Sequence, residues 1–286
     1  GKVLAAYAKA QGWRVEADLN NDIIGNTRGA SGVHNDRQVR VFSEGTKAVE
    51  TQEQANSRRY NGGEVDSPSR NLARFADVLA DTYLKTLDVV MVYRTDRYGR
   101  GGDQVEMLNA GIPAIRVTEA AEHYDRQHQD LRTENGRVYG DTIEGVDFPY
   151  LAKVTRLNVI MMAALARAPA PPEGVKIEGA VSPDTKLSWT ASPGAASYRV
   201  HWRETTAPRW QHAKDTTATA ETLKKFTAGL LLILAGGGGL YLLYVWILLG
   251  SPFLPTYSYV DQETVLNILD IWFNIRYYFF TGALWF

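Results

Sequence analysis

Apolar positions along the chain fall into three regimes: helical spacing, short buried runs, and strict alternation. Val3, Leu4, Tyr7 and Ala8 share one helical face that Gly12 terminates. Residues 15–19 alternate as a strand leading into Asn20-Asn21-Asp22-Ile23-Ile24-Gly25, and residues 39–42 make a second short strand. Ser67-Pro68-Ser69 predicts a capped helix start, with Leu72, Phe75, Val78, Leu79 and Tyr83 on its apolar stripe. Residues 89–93 are continuously apolar, the pattern of a strand buried on both faces. A turn with Gly99, Gly101 and Gly102 follows, then a short helix around residues 105–108, a strand over 113–117 and a long helix over 147–167. That helix points Leu151, Val154, Leu157, Ile160 and Met161 inward. Strands alternating with helices predict an α/β class with a mostly parallel sheet covered by helices.

The period then changes. Ala168-Pro169-Ala170-Pro171-Pro172 reads as a stiff linker, so residues 1–168 form one domain. Val175 and Ile177, Leu187-Ser188-Trp189 and Tyr198-Arg199-Val200-His201-Trp202 read as short strands of a partial β-sandwich spanning residues 169–223. Residues 224–286 form a third region. No charge occurs over residues 226–260, and residues 226–249 match the length of a membrane-spanning helix. Trp246 suits a membrane interface, and Ala235 and Gly239 have the small-xxx-small spacing of close helix packing. Trp272, Trp285 and Phe286 in the second apolar stretch are candidate partner contacts, since an apolar terminus calls for a covering surface.

Composition changes this picture in two places. The chain has 286 residues, a formal net charge of −1 and no cysteine. Missing cysteine excludes a disulfide framework and thiolate metal sites. Charge balance argues against a nucleic-acid partner. The remaining candidate chemistry is carboxylate and imidazole. Asp22 follows a strand, and His123, Asp125, His128 and Asp130 crowd into eight residues, a ligand set suited to a divalent metal. Gly99-Arg100-Gly101-Gly102-Asp103 lacks the Gly-Lys-Ser/Thr ending of a phosphate loop.

Four segments carry a joint pattern: residues 19–26 around Asp22, Asp96-Arg97-Tyr98-Gly99-Arg100-Gly101-Gly102-Asp103, Gly111-Ile112-Pro113-Ala114-Ile115-Arg116, and Gln127-His128-Gln129-Asp130. Their order and spacing resemble the C-terminal half of the catalytic domain of dizinc exopeptidases related to glutamate carboxypeptidase and bacterial aminopeptidases. Residues 187–203 resemble a fibronectin type III module. The exopeptidase resemblance implies that Asp22 matches a ligand of one zinc and His128 a ligand of the other, with His123 the fallback. The family carries His four residues before the Asp, where this chain has Arg126. It also implies that the first His ligand, the bridging Asp and the Glu pair lie upstream of Gly1.

With one ligand per metal and no general base, no zinc is expected unless another chain supplies the missing ligands. The expectation is a catalytically inactive, membrane-anchored accessory subunit of a larger membrane complex, such as a respiratory or photosynthetic assembly. It would contact membrane subunits and the lipid bilayer, with its main domains outside the cytoplasm. The alternative is a zinc-dependent aminopeptidase whose N-terminal half is absent from this chain.

Overall fold

Side chains cap the helices where the sequence places their starts. Ser67 accepts the N–H of Arg70 at the head of one helix, and Asp147 accepts the N–H of Tyr150 at the head of another. The computed structural model describes residues 1–179, 184–204 and 206–223, which fall into two compact units, the first Gly1–Ala168 and the second beginning at Pro169.

The first unit runs α1 (Lys2–Ala10), β1 (Asp18–Asn21), β2 (Gln38–Phe42), α2 (Gln52–Asn61), α3 (Pro68–Tyr83), β3 (Asp88–Val92), α4 (Asp103–Asn109), β4 (Ala114–Glu119), a β5–β6 hairpin (Arg132–Glu134, Arg137–Tyr139) and α5 (Phe148–Arg167). The sheet order is β1-β4-β2-β3. Strand β1 pairs with β4 in parallel and β2 with β3 in parallel, while β2 and β4 are antiparallel. The sheet is therefore mixed, with two of its three pairings parallel and the central one antiparallel. Helices α3 and α5 pack on one face, burying Val39, Val41, Ile115 and Val117 with Leu72, Leu157 and Met161. A smaller cluster joins Ala5, Met107, Leu108 and Ala114.

Three elements differ from the sequence pattern. The continuously apolar β3 is an edge strand, whereas β4 is buried at all six positions despite carrying Arg116, Thr118 and Glu119. In α1 the buried residues are Ala5 and Ala8, and the larger Val3, Leu4 and Tyr7 face outward. Small side chains let α1 approach Met107 and Leu108 closely. Helix α2 was not anticipated; a capping box between Thr51 and Gln54 starts it.

The second unit holds β7 (Glu173–Glu178), β8 (Thr185–Thr190), β9 (Tyr198–Trp202), β10 (His212–Thr216) and β11 (Ala220–Leu223). They make a three-stranded sheet, β11-β8-β7, and a separate pair, β10-β9, all antiparallel. The expected partial sandwich is thus two small sheets, and β7 is exposed at every residue, so it has no core face. Trp189 meets Tyr198 edge-on at 5.2 Å, and the Tyr198 hydroxyl accepts the N–H of Ser192 at 2.9 Å. The fold expectation is corrected at one further point: no helix of the described residues is long and apolar enough to cross a membrane. The span read at residues 226–249, with Ala235, Gly239, Trp246, Trp272, Trp285 and Phe286, lies outside the described residues.

Leu157 is fully buried between α5 and the sheet. Its truncation in Leu157→Ala should destabilise the first unit by about 2–5 kcal/mol. Urea unfolding followed by circular dichroism measures this, and an unchanged midpoint would contradict the assigned core.

Candidate metal centre

Alternation along β4 puts Ile115 and Val117 into the apolar core and turns Arg116 and Thr118 to the opposite face. Arg40 of β2, two residues from Phe42, shares that face in the antiparallel register, Arg40 opposite Thr118. The sheet is therefore apolar on one side and charged on the other. The loops that leave its strands supply the compensating charges.

Asp22 directly follows β1. Its N–H donates to the Val117 carbonyl at 3.1 Å, so the ladder with β4 extends through it. The chain then turns at Ile23, which adopts φ 63, a conformation rare for a β-branched residue. The end of β4 secures this turn: the Ile23 carbonyl accepts the Glu119 N–H at 2.8 Å and the Thr118 hydroxyl at 3.1 Å. Nη1 of Arg116 lies 3.3 Å from Oδ2 of Asp22, and its Nη2 donates to the Asp22 carbonyl at 3.2 Å. Gly102 packs against the same spot. A Cβ there would stand 3.1 Å from Oδ2 of Asp22 and 3.0 Å from Nδ2 of Asn20, and would collide with Gln104.

From Arg116 a chain of ion pairs crosses the charged face. Its Nη1 donates to both Asp96 oxygens, at 2.9 and 3.1 Å. Burial pushes the Asp96 carboxyl up, but donation from Gln104, the Arg97 N–H and Arg116 outweighs it and leaves the pKa below the ordinary value. Arg97 bonds Glu122 at 2.5 Å, and Arg40 forms a close pair with the other Glu122 oxygen. Burial opposes the Glu122 charge too, and Arg40 and Arg97 overcome it, so this pKa also falls. Arg40 closes the chain by donating to the Glu119 carbonyl at 2.9 Å.

Glu122 leads into the segment holding the histidines, and Gln127 donates to it at 3.4 Å. His128 is exposed and adopts φ 53. His123 is half-buried, its Nδ1 is enclosed without a hydrogen-bond partner among the described residues, and it lines a cleft of about 510 Å³ with Asn26, Arg126 and Asp147. Asp22 and His128 do not line that cleft. Sequence reasoning found the loops that carry these residues, but the structure does not gather Asp22, His128 and His123 into one ligand cluster. Among the described residues, the group of three carboxylate or imidazole ligands whose atoms lie within 4.8 Å of one another is Asp77, Asp81 and Asp88, on α3 and at the start of β3. Its all-oxygen set suits a hard cation better than zinc. Asp22 and His128 fit zinc in donor type, and Asp22 keeps Oδ1 without a partner among the described residues. Two residues are fewer than the three protein ligands of a catalytic zinc.

Sequence reasoning missed Glu119. It is 1% exposed at the end of β4, and its Oε2 accepts the Asn26 N–H at 2.8 Å. Burial raises its pKa to about 7, against the pull of Asn26. A carboxylate closing a run of core-facing residues in a central strand was the available signal.

No family model matches the chain. It is similar to several proteins described as probable zinc metalloproteases. It is 44% identical over 221 residues to one from Leptosphaeria maculans, covering 76% of this chain and 51% of that protein. It is 42% identical over 217 residues to one from Pyrenophora teres f. teres, covering 74% and 45%. It is 42% identical over 207 residues to one from Pyricularia oryzae, covering 69% and 41%. The chain thus spans about half the length of the relatives it matches.

The raised Glu119 pKa fixes a pH dependence. Between its ordinary value of 4.5 and about 7, the folded chain holds a proton that the unfolded chain has released. Stability should therefore fall as pH rises through that window and level off above it, by about 3 kcal/mol in total. Glu119→Gln should remove this slope. Urea midpoints at pH 4.5, 6 and 8 check it, and parallel profiles for the two proteins would contradict the assignment.

Proposed function

We propose that this chain, which carries a zinc-metallopeptidase-like domain, is the C-terminal portion of a zinc-dependent peptidase and that it acts on peptide amino termini. The similarity to probable zinc metalloproteases at 42–44% identity is the observation that carries this reading. The same similarity favours the zinc-peptidase alternative over an inactive membrane subunit, for which these relatives offer no support. The aminopeptidase specificity rests on the resemblance of the motifs around Asp22 and His128.

In this reading Asp22 and His128 each hold one of two zinc ions, and the remaining ligands come from the part of the relatives that this chain does not match. Zinc, when bound, supplies Lewis-acid polarisation of the scissile carbonyl and neutralises developing negative charge. The chain's own residues build the frame for it. Asp22 offers Oδ1 at the end of a strand, where the Ile23 turn and the tip of β4 fix its backbone. Glu122, locked by Arg40 and Arg97, anchors the start of the segment that presents His128. The general base belongs to the unmatched portion, so this chain alone should not turn over peptides.

A chimera tests the reading: the matched residues of the Leptosphaeria maculans relative are replaced by those of this chain. It should bind zinc, cleave an aminoacyl nitroanilide and lose activity to a chelator. Asp22→Asn and His128→Asn should each lower kcat/KM by about 100-fold or more. A folded chimera that stays inactive with zinc added, while the parent relative is active, would overturn the proposal. Cleavage of internal but not terminal peptide bonds would overturn the aminopeptidase part alone.

A further inference from the structure

Arg116 sits at the centre of the sheet with no exposed surface, and its hydrogen bonds are unevenly spent. Its Nε is buried without a partner among the described residues. The two terminal nitrogens instead converge on two acidic residues. Nη1 serves Asp96 at 2.9 Å and Asp22 at 3.3 Å, and Nη2 serves the Asp22 carbonyl at 3.2 Å. A guanidinium that only had to be neutralised would favour a two-pronged bond to one carboxylate. Here one prong is diverted to the backbone of residue 22, and a buried N–H is left unmet as the consequence.

The diversion fixes Asp22 at two points. One grip is on its carbonyl and the other on Oδ2, so both the backbone and the carboxylate plane are set by the same planar group. Oδ1 has no partner among the described residues, and the side chain is 37% exposed against 4% for Asp96. Charge is divided in the same direction. Asp96 takes the shorter contact and two further donors, whereas Asp22 ends the alternating chain and receives part of one counter-charge.

We propose that Arg116 is a positioning residue that holds Asp22 as a one-oxygen ligand, engaging Oδ2 and leaving Oδ1 and most of the negative charge for a divalent cation. This deepens the zinc-peptidase reading and rests on Asp22 being a ligand. Outer partners of metal ligands typically contribute 10–100-fold to metal affinity, and that is the range expected here.

The test titrates zinc alone into the folded chimera, in which the Leptosphaeria maculans portion supplies the ligands this chain lacks, and follows the Asp22 and Ile23 amide resonances, a readout specific to this one site. Zinc should shift both amides in the unaltered chimera, and Asp22→Asn should abolish the shifts. Arg116→Gln should weaken binding at these amides about 10-fold or more, and Arg116→Lys should restore part of it by keeping the charge without the fork. Because Arg116→Gln strands Asp96 in the interior, the double variant Arg116→Gln/Asp96→Asn provides a folded counterpart, and it should be equally weakened. Unchanged zinc affinity in the double variant, with Asp22→Asn still abolishing the shifts, would overturn the positioning role while leaving Asp22 as a ligand. Absence of zinc-dependent shifts in the unaltered chimera, or their persistence in its Asp22→Asn variant, would overturn the ligand reading and this proposal with it.

Discussion

A layer of charge can cover a β-sheet only if the signs alternate, and that constraint organises the first unit. Asp22, Arg116, Asp96, Arg97, Glu122 and Arg40 form one chain in which every interior member touches two opposite charges. Removing such groups from water is costly, and breaking one link would leave a neighbour unpaired in the interior. The contributors come from β2, from β4 and from the loops after β1, β3 and β4, so satisfying the charges also fixes where those loops run. The apolar face under α3 and α5 supplies most of the driving force for folding.

Local chemistry was legible in the sequence and strand order was not. Ser67 and Asp147 announce their helices because a cap is a contact between near neighbours. The apolar run of β3 reads as a strand buried on both faces, yet β3 lies at the edge, because apolar content reports whether a strand can be central, not whether another strand flanks it. Strand β4 takes the middle since Arg116 and Glu119 find partners there, and those partners lie many residues away in sequence. The outward face of α1 has a related cause: alanine packs where helices meet closely, so Ala5 and Ala8 are buried while the larger Val3, Leu4 and Tyr7 stay outside. The antiparallel meeting of β2 and β4 left no trace in periodicity at all.

The candidate site was half visible for the same reason. Asp22 stands out by its flanking asparagines and its place after a strand. Nothing local marks Arg116 as its companion, 94 residues away. The histidine segment was found by composition, yet composition could not distinguish exposed His128 from His123 at a cleft wall.

Gly102 gives the glycine-rich turn a meaning its composition conceals. Its backbone is extended, with φ −139, so any residue could adopt its shape. What crowds a side chain there is the set of polar ends of Asn20, Asp22 and Gln104, whereas Gly99, three residues earlier, has φ 67 and open space beside it. The two glycines thus answer to different constraints: one to torsion, satisfied nearly as well by asparagine, the other to volume, where a larger residue must displace the groups around Asp22. Substitutions collected from natural variants should sort accordingly, and Gly102 would act as a steric gauge for how closely the turn must lie against the Asp22 carboxylate.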